Sequence, residues 1–107
     1  MSLIQQHMDE IITLCENHNV SELFAFGSVL TDAFNNESDI DFLVKFGDVD
    51  LYKYFDNYMD FKESLENLLK RTVDLVEIQT LKNPILKRSI DKTKTKVYER
   101  ADSKMAV

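Results

Sequence analysis

Two aspartates two residues apart open an apolar stretch, Asp39-Ile40-Asp41-Phe42-Leu43-Val44. Strand interiors disfavour Asp, so a pair of them at the mouth of a strand calls for a reason. Period-2 geometry places both carboxylates on one face, about 6.5 Å apart by rise, where they can converge on a shared cluster of cations. A third carboxylate, Asp74, interrupts the apolar run Val73-Asp74-Leu75-Val76. If that run lies beside the Asp39/Asp41 strand, three carboxylates meet on one side of a sheet. Three such charges cannot stay ionised together without cations. Hard oxygen ligands of this kind suit magnesium, which takes a few carboxylates plus substrate phosphate oxygens.

Upstream, Leu23-Phe24-Ala25-Phe26 reads as a buried strand ending at Gly27-Ser28. Gly lets backbone approach a ligand closely. A helix opening at Ser28 would offer N–H groups, a positive dipole end and a hydroxyl to phosphate. Each piece alone has an ordinary reading: D-x-D as a turn and an edge charge, Gly-Ser as a plain strand-to-helix turn. Their order is what carries information. A phosphate-type turn leads, ten residues later, into the carboxylate strand.

The elements that must position these groups follow from periodicity. Ile4, Met8, Ile11, Ile12 and Cys15 share a helical face, predicting a helix over residues 3–17. After the strand 23–26, a short helix is expected over 29–34 and a turn over 35–38. The strand 40–46 alternates, with Ile40, Phe42, Val44 and Phe46 on one face and Asp39, Asp41, Leu43 and Lys45 on the other. Leu51, Tyr54, Phe55, Tyr58, Phe61, Leu65, Leu68 and Leu69 form a helical stripe, predicting a helix over 51–71 capped by Asp48 or Asp50. A third strand is expected over 73–78. Asn83-Pro84 starts a helix running to about Asp91, since Asn caps and Pro suits the first turn. Lys96–Tyr98 reads as a short edge strand. The expected fold class is α/β (or a helix-rich α+β), a small mixed sheet with helices packed on it.

Length and composition bound the answer. The 107 residues predict one domain over 1–107, with a frayed tail from Ala101. Hydrophobic residues make up 44% and charged residues 30%, a globular composition. No apolar run approaches the roughly 20 residues of a membrane span, and the polar, acidic N-terminus is no signal peptide. The single cysteine, Cys15, sits on an apolar stripe and suits a reducing cytoplasm. A net charge of −6 argues against bulk nucleic-acid binding, though metal ions can still bridge an acidic site to a triphosphate. His7 and His18 are read as surface residues. Lys87, Arg88, Lys92, Lys94 and Lys96 are read as a solvated basic face, and Tyr52 and Met59 as exposed residues off the helical stripe.

The stretch FAFGSVLTDAFNNESDIDFLVKF and the later VDLVEIQTLKNPILKRSI together resemble the DNA polymerase beta-like nucleotidyltransferase superfamily. More narrowly, they resemble the minimal nucleotidyltransferase antitoxins of HEPN-type toxin pairs, with the likeness running from about Leu3 to Tyr98. The resemblance implies that Gly27 and Ser28 hold a triphosphate. It implies that Asp39, Asp41 and Asp74 bind two Mg2+ ions, with Asp74 also a candidate base. It further implies AMP transfer from ATP to a tyrosine hydroxyl of a HEPN toxin. The chain departs from the family at Leu30-Thr31-Asp32, where many members carry Ala-Arg-Gly; a basic contact to the triphosphate is then either missing or supplied elsewhere, with Lys45 and Lys53 as candidates. Two other readings stay open: an antitoxin that neutralises by binding alone, and nucleotidyl transfer to a small molecule, whose pocket a dimer or second domain would have to complete.

Overall fold

The computed structural model describes residues 2–31, 34, 35 and 37–101. Asp32 and the tail from residue 102 onward lie outside the described residues, as does part of the helix expected over 29–34. The elements are α1 (Ser2–Gln6), α2 (Met8–Asn17), β1 (Val20–Phe26), β2 (Ile40–Phe46), α3 (Tyr54–Leu69), β3 (Val73–Glu77), α4 (Pro84–Thr93) and β4 (Thr95–Glu99). The strands form one mixed sheet in the order β3-β2-β1-β4. β1 runs antiparallel to β2 and β4, while β2 and β3 are parallel. This is the small mixed sheet with packed helices expected from the pattern.

The alternation in β2 divides the interior into two layers. Ile40, Phe42 and Val44 face a large core with Ile4, Ile11, Cys15, Phe61, Leu65 and Leu69, contributed by α1, α2 and α3. Leu43 faces the opposite side, where it joins Phe24 and Ile90 of α4 in a smaller cluster. Phe61 is fully buried in the large core, so truncation to Ala would cost about 3–5 kcal/mol.

Local chemistry accounts for most boundaries. The Asp50 carboxylate accepts from Tyr52 N–H at 3.0 Å and caps a single 3-10 turn over Leu51–Lys53 that leads into α3. Of the two candidate caps, Asp50 is the one used. Lys70, at φ 58°, caps α3 in the left-handed conformation, so the helix ends at Leu69, two residues short of the predicted Arg71. Asn83 accepts from Ile85 and Leu86 N–H, with Pro84 in the first turn, and α4 continues to Thr93 rather than stopping near Asp91.

Several expectations need correction. The helix over 3–17 is two helices, parted at His7, where φ −113° and ψ 20° turn the axis. Ile4 and Ile11, on either side of the break, are both fully buried. β1 starts at Val20 rather than Leu23, because the left-handed Asn19 turns the chain and Val20 pairs with Phe46. Of the span 29–34 expected to be helical, residues 29 and 30 belong to one 3-10 turn over Gly27–Leu30, and residues 32 and 33 lie outside the described residues. β3 stops at Glu77, and Ile78–Thr80 forms another such turn. Leu51 and Phe55, placed on the apolar stripe of α3, are 83% and 71% exposed, while Tyr54 between them meets the sheet, its ring against Phe46 and its hydroxyl donating to Glu77. Tyr52 is exposed as expected and Met59 is half-buried.

His18 is the clearest reversal. It is buried, not on the surface. Its Nδ1 lies 2.7 Å from the Leu14 carbonyl and its Nε2 2.6 Å from the Asp60 carboxylate, with the ring tilted against Phe61. Both ring nitrogens face oxygen atoms.

Candidate nucleotide and metal site

β2 and β3 run parallel in a register that sets Asp41 directly opposite Asp74, between the pairs Ile40–Val73 and Phe42–Leu75. Both aspartates alternate with core-facing neighbours, so both project from the face covered by α4. Asp39 precedes the first residue of β2 and is exposed. The sheet therefore opposes the two strand aspartates, with the third at the strand entrance.

The electrostatics show the crowding. Burial first, then the charges of Asp74 and Asp39, push the Asp41 carboxyl above the usual carboxylate range. Among the described residues, no three His, Cys, Asp or Glu side chains form a ready metal cage.

Gly27 ties the turn to this carboxylate. It closes β1 next to the pair Phe26–Asp41. Its φ of +77° is one that L side chains rarely adopt. A Cβ built there would overlap Asp41 Oδ2, with Asp41 Cγ only 3.4 Å away. A bare Cα is thus required twice, by backbone conformation and by the carboxylate lying against it.

Ser28 follows at a half-buried position, and its carbonyl accepts from both Thr31 N–H (2.9 Å) and Thr31 Oγ1 (3.0 Å). One short 3-10 turn carries little macrodipole, so the helix-end field expected from the sequence is weaker than a full helix would give. A cavity of about 510 Å3 opens beside the turn, lined by Gly27, Leu30, Thr31, Thr93 and Thr95. Its size lies within the roughly 300–1,000 Å3 of small-molecule sites. Thr93 and Thr95 were not singled out from sequence, where hydroxyl residues among lysines carry no signal. They reach the turn only because β4 pairs with β1, Thr95 opposite Ala25.

The proposed substitute cations are badly placed. Lys45 lies four residues up β2 from Asp41, near Glu22. Lys53 lies beyond the opposite end of that strand. The lysines nearer this end are Lys94 and Lys96, whose Nζ atoms sit 4.5 and 5.9 Å from the Phe24 ring centroid. Lys94 also pairs with Asp91 at 2.9 Å and Lys96 with Glu99 at 3.0 Å. Arg71, considered from sequence only as a helix end, bonds the loop that leads to Asp39.

Residues 9–103 match the polymerase beta nucleotidyltransferase family. Two Methanocaldococcus jannaschii proteins, both named as protein adenylyltransferases, are 36% and 37% identical over 78 and 79 residues. In each case 73% of this chain is covered, with 77% and 76% of the relative. A minimal nucleotidyltransferase of solved structure superposes with a TM-score of 0.71 at 26% identity, covering 86% of this chain and 90% of that one. A complex of a tri-AMPylated Shewanella oneidensis HEPN toxin with its MNT antitoxin shares the fold, at TM-score 0.61 and 19% identity, covering 94% of this chain and 76% of that one. With its turn, its opposed aspartates and a match spanning nearly its whole length, the chain belongs to the polymerase beta-type nucleotidyltransferase family, in its minimal form.

Proposed function

We propose that this chain transfers AMP from ATP, with magnesium, to a tyrosine hydroxyl of a HEPN-type partner toxin, and acts in the cytoplasm as that toxin's antitoxin. The observation that carries the reading is the register of β2 on β3, which opposes Asp41 and Asp74 while the bare Cα of Gly27 lies against Asp41. Relatives named as protein adenylyltransferases support a protein acceptor. Structural neighbours in toxin–antitoxin complexes, one of them with AMP-PNP, support the partner class.

In this reading the Gly27–Ser28 backbone and the Ser28 hydroxyl hold the triphosphate at the cavity mouth. Asp39, Asp41 and Asp74 hold two Mg2+ ions. Magnesium, when bound, would neutralise triphosphate charge and polarise the α-phosphate. Asp74 takes the acceptor hydroxyl's proton; the acceptor oxygen bonds to the α-phosphorus, the bond to the β-phosphate bridging oxygen breaks, and pyrophosphate leaves. The mismatch between a half-buried Asp41 and its like-charged neighbours suits a site that is complete only with substrate.

The test is intact-mass analysis of the HEPN partner after incubation with this chain, ATP and magnesium, with the Asp39→Asn/Asp41→Asn double variant as control. Added AMP that vanishes in the control is the expected result. A stable complex without added mass would favour an antitoxin that works by binding alone, and transfer to a small molecule in the partner's absence would move the acceptor class.

A further inference from the structure

Arg71 lies at the junction of α3 and β3, three residues before Asp74, and reaches the segment that delivers Asp39. Its Nη1 donates to the carbonyl oxygens of Asn35 at 2.6 Å and Ser38 at 3.0 Å. Its guanidinium carbon lies 4.6 Å from the Phe34 ring centroid. The segment so held is also closed on itself. Ser38 N–H donates to the Asn35 carbonyl, Asn35 N–H to Ser38 Oγ, and Glu37 N–H to Asn35 Oδ1 at 2.8 Å.

On the other side of Asp39, Ile40 N–H donates to the Thr72 carbonyl at 3.0 Å. Asp39 therefore sits between two tethers that both end on residues 71 and 72. It lies outside the strand register, whose first pair is Ile40 with Val73, so no ladder pairing holds it. Asp41 and Asp74 owe their opposition to the sheet; Asp39 owes its place to the junction.

We propose that Arg71 is a positioning residue, fixing the turn before β2 so that the exposed Asp39 is presented to the Asp41–Asp74 pair. The proposal rests on the reading of these three carboxylates as the metal-binding set. Arginine suits the role because a single Nη1 serves two carbonyl oxygens while the flat guanidinium lies over an aromatic ring; lysine can donate to the same oxygens but has no planar face to stack. Groups that orient a metal ligand from outside typically cost about 10–100-fold in metal affinity or activity when removed.

The test uses Mn2+ in place of Mg2+, a non-hydrolysable ATP analogue, and the free-Mn2+ electron paramagnetic resonance signal. The full chain is compared with Arg71→Lys, Arg71→Ala and the distant control Arg100→Lys. Wild type and Arg100→Lys are expected to bind manganese–nucleotide alike. Arg71→Ala should bind about tenfold more weakly and Arg71→Lys should fall between, with Arg71→Lys melting within the range of the control. Equal binding by wild type and both Arg71 variants overturns the proposal. If Arg71→Ala does not fold, Arg71→Lys decides alone: weaker binding at an unchanged melting temperature supports the role, and unchanged binding ends it. Failure of the wild type to bind manganese–nucleotide sinks the metal-set reading and this proposal together, an outcome distinct from wild-type binding that the variants share.

Discussion

The chain's two glycines sit at opposite ends of β1–β2 and serve different purposes. At Gly27 the space a Cβ would fill is occupied by the Asp41 carboxylate, and the backbone is left-handed at φ +77°. At Gly47 the same space is occupied by the tip of Arg100, with Nη1 2.6 Å from the ideal Cβ position. Arg100 donates to Asn19 Oδ1 at 2.7 Å, while Gly47 N–H donates to the Asn19 carbonyl at 2.8 Å. One end gathers like charges; the other gathers a cation and acceptors that satisfy one another. An end built for stability pairs its polar groups, and an end built for chemistry leaves them opposed.

The largest effect expected is at Asp41. Asp41→Asn should lower AMP transfer by more than about a hundredfold, because several kcal/mol of transition-state stabilisation depend on the metal site. The same variant should melt at a higher temperature in metal-free buffer. The sign follows from the raised pKa: the folded state holds the Asp41 proton more tightly, so stability declines as pH rises from the unfolded to the folded value. Calorimetric scans across that range, with chelator present, check it; a lower melting temperature for Asp41→Asn would place the strain elsewhere.

The glycine pair gives the next largest contrast. Gly27→Ala should cut transfer about tenfold or more, since a left-handed Ala costs about 1–2 kcal/mol and its methyl displaces Asp41. Gly47→Ala meets only the end of a flexible side chain, which can swing aside, so activity should stay within about twofold at a distant site. Comparable activity losses in both variants, measured side by side, would erase the distinction between the two ends.

The smallest effect lies where β3 is anchored. The Glu66 carboxylate accepts from Val73 N–H at 2.9 Å and pairs with Lys62 at 3.4 Å. The backbone hydrogen bond, chiefly, holds its pKa below the usual range. Its stabilisation is fully present above the unfolded carboxylate pKa and is lost as pH falls through the lower folded value. Glu66→Gln should flatten that acid limb in urea titrations while leaving neutral-pH transfer near wild type.

Much of the site was legible because it violates local preference. Asp41 and Asp74 stand out as carboxylates in apolar strands, and Asn83-Pro84 and Asp50 announce helix starts by their own chemistry. His18 was misread because burial depends on Asp60 and Phe61, some 40 residues away, which no local pattern reveals. Leu51 and Phe55 follow the apolar period of α3, but periodicity says which face a residue shares and not whether a partner surface extends that far. Arg71 looks like any basic residue at a helix end, and its contacts with Asn35 and Ser38 exist only once α3 and β3 bring it back to that loop.

By itself the sequence determined the succession of elements, the apolar faces and the unusual residues, since capping, turn chemistry and periodicity act over a few neighbours. The tertiary structure decided that β3 lies parallel to β2 with Asp74 opposite Asp41, that β4 brings Thr95 beside the Gly27 turn, and that Arg71 closes on the loop before Asp39. Those choices rest on register between segments tens of residues apart, where side-chain packing and shared hydrogen bonds, rather than local propensity, select one pairing.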